Sequence, residues 1–206
     1  MFKKLAFVLL SAAVFTLSAG SAAAVEYKEG VNYQIRAEKA LDHKEIREFF
    51  SFWCGHCFGL QSTFHKIEAH FKGQAEYVKN PVGLLGGAMG PLSQQAFAAA
   101  KMLNLDAEFT AGLFDEMHVQ GKIPHSEKDF AAFFGRELGI PEDKFERDLR
   151  SFPVAGMVSD YDAAVDKYQI DAVPELLVNG RYLVTMESVN SEDELIDLIA
   201  YLLTLN

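Results

Sequence analysis

The sequence predicts an α/β fold in which a long helical tract interrupts a β-sheet. Strand-type runs rich in aromatic and β-branched residues occur at 45–53 and 75–82, and such runs return only at 175–178 and 181–184. Between these two groups the apolar residues recur at helical spacing. The pair Asn179-Gly180 separates the last two runs, which predicts a β-hairpin near the end of the chain.

Residues 1–24 have the composition of a cleaved secretory signal peptide. Lys3 and Lys4 form a basic start, an apolar core follows, and three small residues end the segment at Ala24. The apolar core is shorter than the roughly 20 residues that span a bilayer. We therefore expect cleavage after Ala24, which leaves a mature chain that begins at Val25. An uncleaved membrane anchor is the alternative interpretation.

The charge of the chain is strongly acidic. Its 19 Lys and Arg residues face 29 Asp and Glu residues, for a net charge of −10. Loss of the two lysines with the signal peptide makes the mature protein still more acidic. Such a surface argues against nucleic acid or anionic lipid as a partner. The length suits one sizeable core or two small ones, and we expect a monomer.

The first half of the chain predicts an irregular or edge-strand lead-in and then a strand, a helix and a strand. The lead-in covers residues 26–36, and the strand at 45–53 carries dense aromatics that indicate burial on both faces. A helix is expected from Cys54 to near Gly73, followed by the strand at 75–82. A glycine cluster at 83–90 then marks a boundary. No Gly-Lys-Ser/Thr follows these glycines, which excludes a phosphate-binding loop.

The second half is helical until the hairpin. Helices are predicted at 92–103, 106–120, 126–139, from 141 onward, and at 154–168. After the hairpin, Ser191 and Glu194 have the spacing of a capping box, and a final amphipathic helix follows them.

The two cysteines, Cys54 and Cys57, are the main chemical feature of the sequence. They are the only cysteines in the chain and have C-x-x-C spacing. Cysteines of an exported protein usually reach an oxidising compartment and pair there. A bond between these two closes only a tiny ring, which adds little stability by the loop-entropy argument. A redox role therefore explains the pair better than a structural one.

The helical pattern distinguishes the two sulfur atoms. Apolar residues from Cys57 onward fall on one helical stripe, at positions 57, 60, 64, 67 and 71. Cys57 is therefore expected on the buried face, while Cys54 lies at the helix N-terminus and faces solvent. Unpaired backbone N–H groups and the helix dipole favour a thiolate there. An exposed Cys54 beside a shielded Cys57 is the arrangement that dithiol–disulfide exchange needs.

The order of elements and several local sequences resemble the DsbA family of thiol:disulfide oxidoreductases. The matching stretches are Glu48-Phe49-Phe50-Ser51-Phe52, Cys54-Gly55-His56-Cys57, Gly86-Gly87, Val173-Pro174 and Val178-Asn179-Gly180. The resemblance implies an α/β thioredoxin fold with an inserted all-helical domain. It divides the mature chain into a first thioredoxin half at 25–85, a helical insertion domain at 86–159 and a second thioredoxin half at 160–206.

The resemblance also implies a set of site residues. Catalytic roles carry over to Cys54, Cys57, His56, Pro174, Glu48 and Lys79. Substrate contacts carry over to Gly55, Val173, Trp53 and Phe58. In the family the proline is cis and faces the active disulfide, while a buried acid with a nearby lysine lies close to the buried cysteine.

Each of these roles has an ordinary structural alternative. Glu48 could form an edge-facing ion pair, and His56 could be an exposed residue at a helix start. Trp53 and Phe58 could belong to the core rather than to an apolar rim that holds substrate. The other histidines are interpreted as surface residues, at positions 43, 65, 70, 118 and 125.

The resemblance implies a periplasmic enzyme of a Gram-negative bacterium that needs no cofactor beyond its Cys54–Cys57 disulfide. Its expected substrates are unfolded or partly folded exported polypeptides, which attack at Cys54. The expected reoxidant is a DsbB-type membrane quinone reductase. One departure leaves alternatives open: the family commonly has Pro-His between the cysteines, whereas Gly55-His56 is typical of protein disulfide isomerase. An isomerase or reductase thus stays possible, as does a non-redox chaperone.

A zinc site is the remaining alternative at the cysteines. Cys54 and Cys57 followed by His65 and His70 mimic a Cys2His2 set, but only seven residues separate Cys57 from His65. Zinc fingers need roughly 12–15 residues there. A c-type haem site would need histidine directly after the second cysteine, where Phe58 stands. No metal ligands are therefore expected.

Overall fold

A five-stranded mixed sheet forms the centre of the computed structural model, which describes residues 26–205. Its strands are β1 Tyr33–Ile35, β2 Glu45–Phe50, β3 Glu76–Pro81, β4 Glu175–Val178 and β5 Tyr182–Val184, arranged in the order β1-β5-β4-β2-β3. β2 and β3 are parallel, and the other neighbouring strands are antiparallel. The predicted strands are confirmed, although β2 ends at Phe50 rather than Trp53. The last three residues of that prediction form the turn that leads to Cys54.

The helices account for most of the remaining chain. They are α1 Gly55–Gly59, α2 Gln61–His70, α3 Met89–Met102, α4 Asp106–His118, α5 Glu127–Glu137, α6 Glu142–Leu149, α7 Phe152–Tyr168 and α8 Glu192–Leu202. A short 3-10 turn covers Met186–Ser188. The prediction of one helix from Cys54 to Gly73 is wrong, because the helix is broken at Leu60, which has φ −94° and ψ 1°. The apolar stripe continues across the break, and periodicity alone therefore cannot reveal it.

Alternation along β2 explains why this strand is buried on both sides. Ile46 faces a core formed with α2 and α8, whereas Phe49 faces Ala164 and Tyr168 of α7. These four residues of β2 and α7 are at most 9% exposed. The expected burial of the first strand on both faces is confirmed, and β2 is a rigid base for the turn that follows it.

The helical insertion packs its own core against the end of β2. Phenylalanines of α4, α5 and α6 fill this core, and Phe50, Phe52 and Cys57 belong to the same cluster. The sheet interrupted by helices is therefore confirmed as the architecture. The predicted domain boundary at residue 159 falls inside α7, so the division into domains stays a prediction.

The C-terminal hairpin forms as predicted. Asn179 and Gly180 adopt positive φ angles of 54° and 60°, and Arg181 N–H donates to the Val178 carbonyl over 3.0 Å. Such angles suit the tight turns that join antiparallel strands. No helix between residues 26 and 205 is long and apolar enough to cross a membrane. The predicted signal peptide at 1–24 lies outside the described residues.

Candidate active site

The two cysteines occupy different environments at the start of α1. Cys54 is the N-cap residue, with extended dihedrals of φ −102° and ψ 111°, and its Sγ accepts the Cys57 N–H over 3.2 Å. Both cysteines are free thiols; Cys54 is partly exposed, whereas Cys57 is fully buried. The expected asymmetry is therefore present. A substrate sulfur approaching from solvent meets Cys54 first.

Burial of Cys57 controls its protonation. Burial raises the pKa of the Cys57 thiol, and its hydrogen bond with Cys54 raises it further. A backbone hydrogen bond from Ser51 acts in the opposite direction, while the charge of Glu48 adds to the increase. A thiolate released at Cys57 therefore takes up a proton readily.

The loop before β4 faces the exposed sulfur. The Val173–Pro174 peptide bond is cis, as the resemblance implies. The Cys54 thiol donates to the Val173 carbonyl over 3.5 Å. The Cys54 sulfur and the Val173 carbonyl thus meet although the two residues are 119 positions apart in the sequence.

An apolar groove runs beside Cys54. It has a volume of about 400 Å³ and lies between the first turns of α1 and the loop that carries Pro174. Gly55 and His56 line one side, and Met186 lines the other. The His56 side chain is exposed and makes no hydrogen bond within residues 26–205. The structure thus brings His56 to the wall of the groove.

Glu48 is a buried acid close to the buried cysteine. It is 1% exposed, its Oε2 accepts the Tyr77 hydroxyl over 2.9 Å, and its Oε1 accepts the Gln61 amide over 3.5 Å. Burial raises the pKa of Glu48 from 4.5 to about 7, although Lys79, Tyr77 and Gln61 oppose this shift. Both protonation states of the carboxyl are therefore populated near neutral pH, and its charge raises the pKa of the Cys57 thiol.

Lys79 lies beside Glu48 but pairs with a different acid. The two residues are opposite each other in the register of β2 and β3. The Lys79 Nζ is 3.7 Å from Glu68 Oε2, and its positive charge lowers the pKa of Glu48 from a distance. The side chain of Lys79 is 11% exposed, so this charge is only partly screened by water.

Sequence reasoning missed two polar residues of this cluster, Tyr77 and Gln61. Gln61 lies one helical turn after Cys57, and its amide also donates to the Cys57 carbonyl over 3.3 Å. Tyr77 lies two residues before Lys79 in β3 and therefore on the same face of the strand. The position of Gln61 four residues after Cys57, and of Tyr77 two residues before Lys79, could have identified both from the sequence.

Aromatic residues of the insertion support the turn that carries Cys54. His118 Nε2 is 2.8 Å from the Phe52 carbonyl oxygen, which can only accept, so this nitrogen carries the proton. The His118 ring stacks on Phe58, with centroids 5.0 Å apart and planes 9° from parallel. The interpretation of His118 as a surface residue is wrong, because the end of α4 meets the end of β2 only in the folded chain.

Trp53 packs directly over the loop that opens the insertion. A Cβ atom at Gly86 would lie 2.4 Å from the Trp53 ring, and Gly86 has a φ of +83°. Glycine is therefore required there both for space and for backbone conformation. Trp53 and Phe58 are partly buried, whereas Phe52 is 1% exposed and belongs to the core.

The family model and similar known proteins all point to one family. Residues 45–197 match the family model of the DSBA-like thioredoxin domain. The thiol:disulfide interchange protein DsbA of Pectobacterium carotovorum is 28% identical over 211 residues, covering 98% of this chain and 99% of that protein. The DsbA of Haemophilus influenzae is also 28% identical, over 89% of each chain.

Solved structures show the same fold. A DsbA from Klebsiella pneumoniae superimposes with a TM-score of 0.80 at 24% identity, over 88% of this chain and 100% of that one. A DsbA from Proteus mirabilis with a non-covalently bound peptide, PWATCDS, gives a TM-score of 0.77 at 22% identity, over 88% and 100%. The thioredoxin fold with an inserted helical domain is thereby confirmed. The chain belongs to the DsbA-like thioredoxin-domain family and is a protein thiol:disulfide oxidoreductase.

Proposed function

We propose that this protein donates a Cys54–Cys57 disulfide to thiols of partly folded exported polypeptides. The observation that carries the proposal is the difference between the two sulfurs: Cys54 is reachable from solvent at a helix N-terminus, and Cys57 is buried behind it. The oxidised enzyme then needs no cofactor beyond its own disulfide. The apolar groove beside Pro174 would hold an extended segment of the substrate.

The proposed reaction consists of two successive thiol–disulfide exchanges. A substrate thiolate attacks Cys54 Sγ, a mixed disulfide forms, and the bond to Cys57 breaks with its electron pair on Cys57. Glu48, with a pKa of about 7, supplies the proton that the buried Cys57 sulfur takes up. A second substrate thiolate then attacks the substrate sulfur of the mixed disulfide, and Cys54 leaves as a thiolate. The substrate gains a disulfide, and the enzyme is reduced.

Three groups position the substrate in this proposal. Val173 offers a backbone carbonyl 3.5 Å from Cys54 Sγ, and Gly55 and His56 form the adjacent wall of the groove. Trp53 and Phe58 add apolar surface next to the sulfur. The Proteus mirabilis DsbA structure with its bound cysteine-containing peptide supports a substrate of this kind.

Trapping the intermediate tests the proposal. A reduced Cys57→Ser variant should accumulate a mixed disulfide when it is given a cysteine peptide in its disulfide-linked dimeric form. The Cys54 thiolate attacks one peptide sulfur, the other peptide leaves as a thiolate, and no second enzyme sulfur can displace the bound peptide. A Cys54→Ser variant should accumulate none, and mass spectrometry of the acid-quenched protein distinguishes the two. If Cys54→Ser retained full activity, a non-redox binding role would replace this function.

The direction of electron flow needs its own measurement, because Gly55-His56 is also the dipeptide of disulfide isomerases. We expect equilibrium with glutathione to give a potential less negative than thioredoxin's value of about −270 mV. A more negative potential would favour a reductase. Faster recovery of scrambled than of reduced substrate would favour an isomerase.

Compartment and regeneration are further parts of the proposal. The composition of residues 1–24 supports export to a Gram-negative periplasm. N-terminal sequencing of the purified protein should then begin at Val25. Family membership supports reoxidation by a DsbB-type membrane quinone reductase. Addition of such a protein with quinone should convert the reduced Cys54–Cys57 pair to the disulfide.

A further inference from the structure

The N-terminal ends of β2 and β3 carry one imidazole and two carboxylates that the redox chemistry does not use. His43 Nε2 is 3.7 Å from Glu45 Oε2 and 3.9 Å from Glu76 Oε2. The three atoms all lie within 4.8 Å of one another. β2 leads away from this cluster to Cys54, and its six residues span about 20 Å at roughly 3.3 Å per residue. The cluster and the dithiol are therefore separate sites.

The spacing suits a shared cation better than direct hydrogen bonds. Both separations exceed the 2.7–3.2 Å of an N–H···O bond. Two ligands of one tetrahedral metal ion, each bound at about 2.0–2.2 Å, are about 3.4 Å apart. His43 and Glu76 have side chains that are 49% and 66% exposed. These side chains can therefore close the small remaining distance without disturbing the core.

Asp42 orients the imidazole toward the two carboxylates. His43 Nδ1 lies 3.0 Å from Asp42 Oδ1. Because a carboxylate accepts, this contact places the proton of a neutral imidazole on Nδ1 and leaves the lone pair on Nε2. The Nε2 atom is the one that faces Glu45 and Glu76. Metal-bound histidines in proteins commonly have such a carboxylate on their other nitrogen.

Arg47 fixes the third ligand. Its Nε donates to Glu45 Oε1 over 2.9 Å, and its terminal nitrogen donates to Glu45 Oε2 over 3.0 Å. Each carboxylate oxygen has a second lone pair, so Oε2 keeps one for a cation. Glu45 is 4% exposed and thus rigidly held. The cluster thus holds three carboxylates, with Asp42 included, and only Glu45 among them is paired with the guanidinium, so the excess negative charge favours a cation.

We propose that His43, Glu45 and Glu76 form a binding site for a divalent transition-metal ion, Zn²⁺ by ligand type, with water completing the coordination. An imidazole with two carboxylates suits Zn²⁺, whereas Ca²⁺ and Mg²⁺ prefer oxygen ligands alone. Bound metal would clamp the start of β2 to the start of β3. The sequence does not reveal this site, because its ligands lie at the starts of two different strands. They also do not form a recognisable Cys or His motif.

Titration of the oxidised protein with ZnCl2 tests the proposal. The disulfide form is used because it has no thiols to bind zinc. Calorimetry should find one Zn²⁺ per chain, and the thermal unfolding midpoint should rise with added zinc. His43→Ala and Glu76→Gln should each weaken binding at least tenfold, as should Asp42→Ala through loss of orientation.

His125→Ala is the matched control, since it removes an exposed histidine of the insertion and should leave zinc affinity unchanged. Circular dichroism checks that each variant is folded; the substituted side chains are exposed, so folding is not at risk. Absence of saturable binding, or equal affinity in His43→Ala, would overturn the site. Equal affinity for Ca²⁺ would overturn its assignment to a transition metal.

Discussion

Replacing the buried carboxyl of Glu48 should make the reduced protein more stable at alkaline pH. Burial raises the pKa of Glu48 from 4.5 to about 7, so between these values the folded protein holds a proton that the unfolded chain has lost. The stability linked to this proton is fully present below pH 4.5 and is lost as the pH rises through 7. Glu48→Gln is neutral at every pH and removes this loss.

The magnitude follows from the same two pKa values. At roughly 1.4 kcal/mol per pKa unit, the complete effect is about 3 kcal/mol. Between pH 5 and pH 8 the difference in unfolding free energy between Glu48→Gln and the natural protein should change by about 2–3 kcal/mol. Glu48 is 1% exposed, so solvent screening does not reduce this value appreciably. The hydrogen bond from Tyr77 is available to the glutamine oxygen as well.

Urea unfolding at pH 5 and pH 8 measures the effect, with a phosphine reductant that keeps both cysteines reduced. The free energy of unfolding of Glu48→Gln, relative to that of the natural protein, should increase by about 2–3 kcal/mol as the pH rises. Glu146→Gln removes an exposed carboxylate from α6 and serves as the control, with no comparable growth. A difference that is independent of pH for Glu48→Gln would refute the assignment of Glu48 as a buried acid that titrates near neutrality.

Two further predictions concern the support of the site. Gly86→Ala should destabilise the protein by about 1–3 kcal/mol and shift the fluorescence of Trp53, because the added Cβ collides with the Trp53 ring. Gly87→Ala is the control: Gly87 also has a positive φ, but its Cβ would lie in open space, so the fluorescence should stay unchanged. His118→Leu should cost about 1–3 kcal/mol in chemical denaturation, because it leaves the Phe52 carbonyl without its partner. A free energy of unfolding that does not change would show that water replaces the imidazole at no cost.

Local pattern was sufficient to identify the elements of the sheet and the dithiol. The strand at Glu45, the turn at Asn179-Gly180 and the contrast between Cys54 and Cys57 all follow from short-range spacing, and the structure has each of them. Periodicity failed at Leu60, where one residue leaves helical dihedrals without interrupting the apolar stripe. The C-x-x-C spacing and the stripe that begins at Cys57 were therefore enough to locate the reacting sulfur, although the stripe did not show where the helix breaks.

Contacts between distant segments were decided only by the tertiary structure. The hydrogen bond from His118 to Phe52 joins residues 66 positions apart, and the hydrogen bond from Tyr77 to Glu48 joins β3 to β2. The cluster of His43 with Glu76 likewise depends on parallel strand register. Sequence by itself determined which chemistry the chain carries, because a dithiol needs only local spacing. The protonation of its neighbours depends on burial and on charges brought together in three dimensions, so only the fold could determine it.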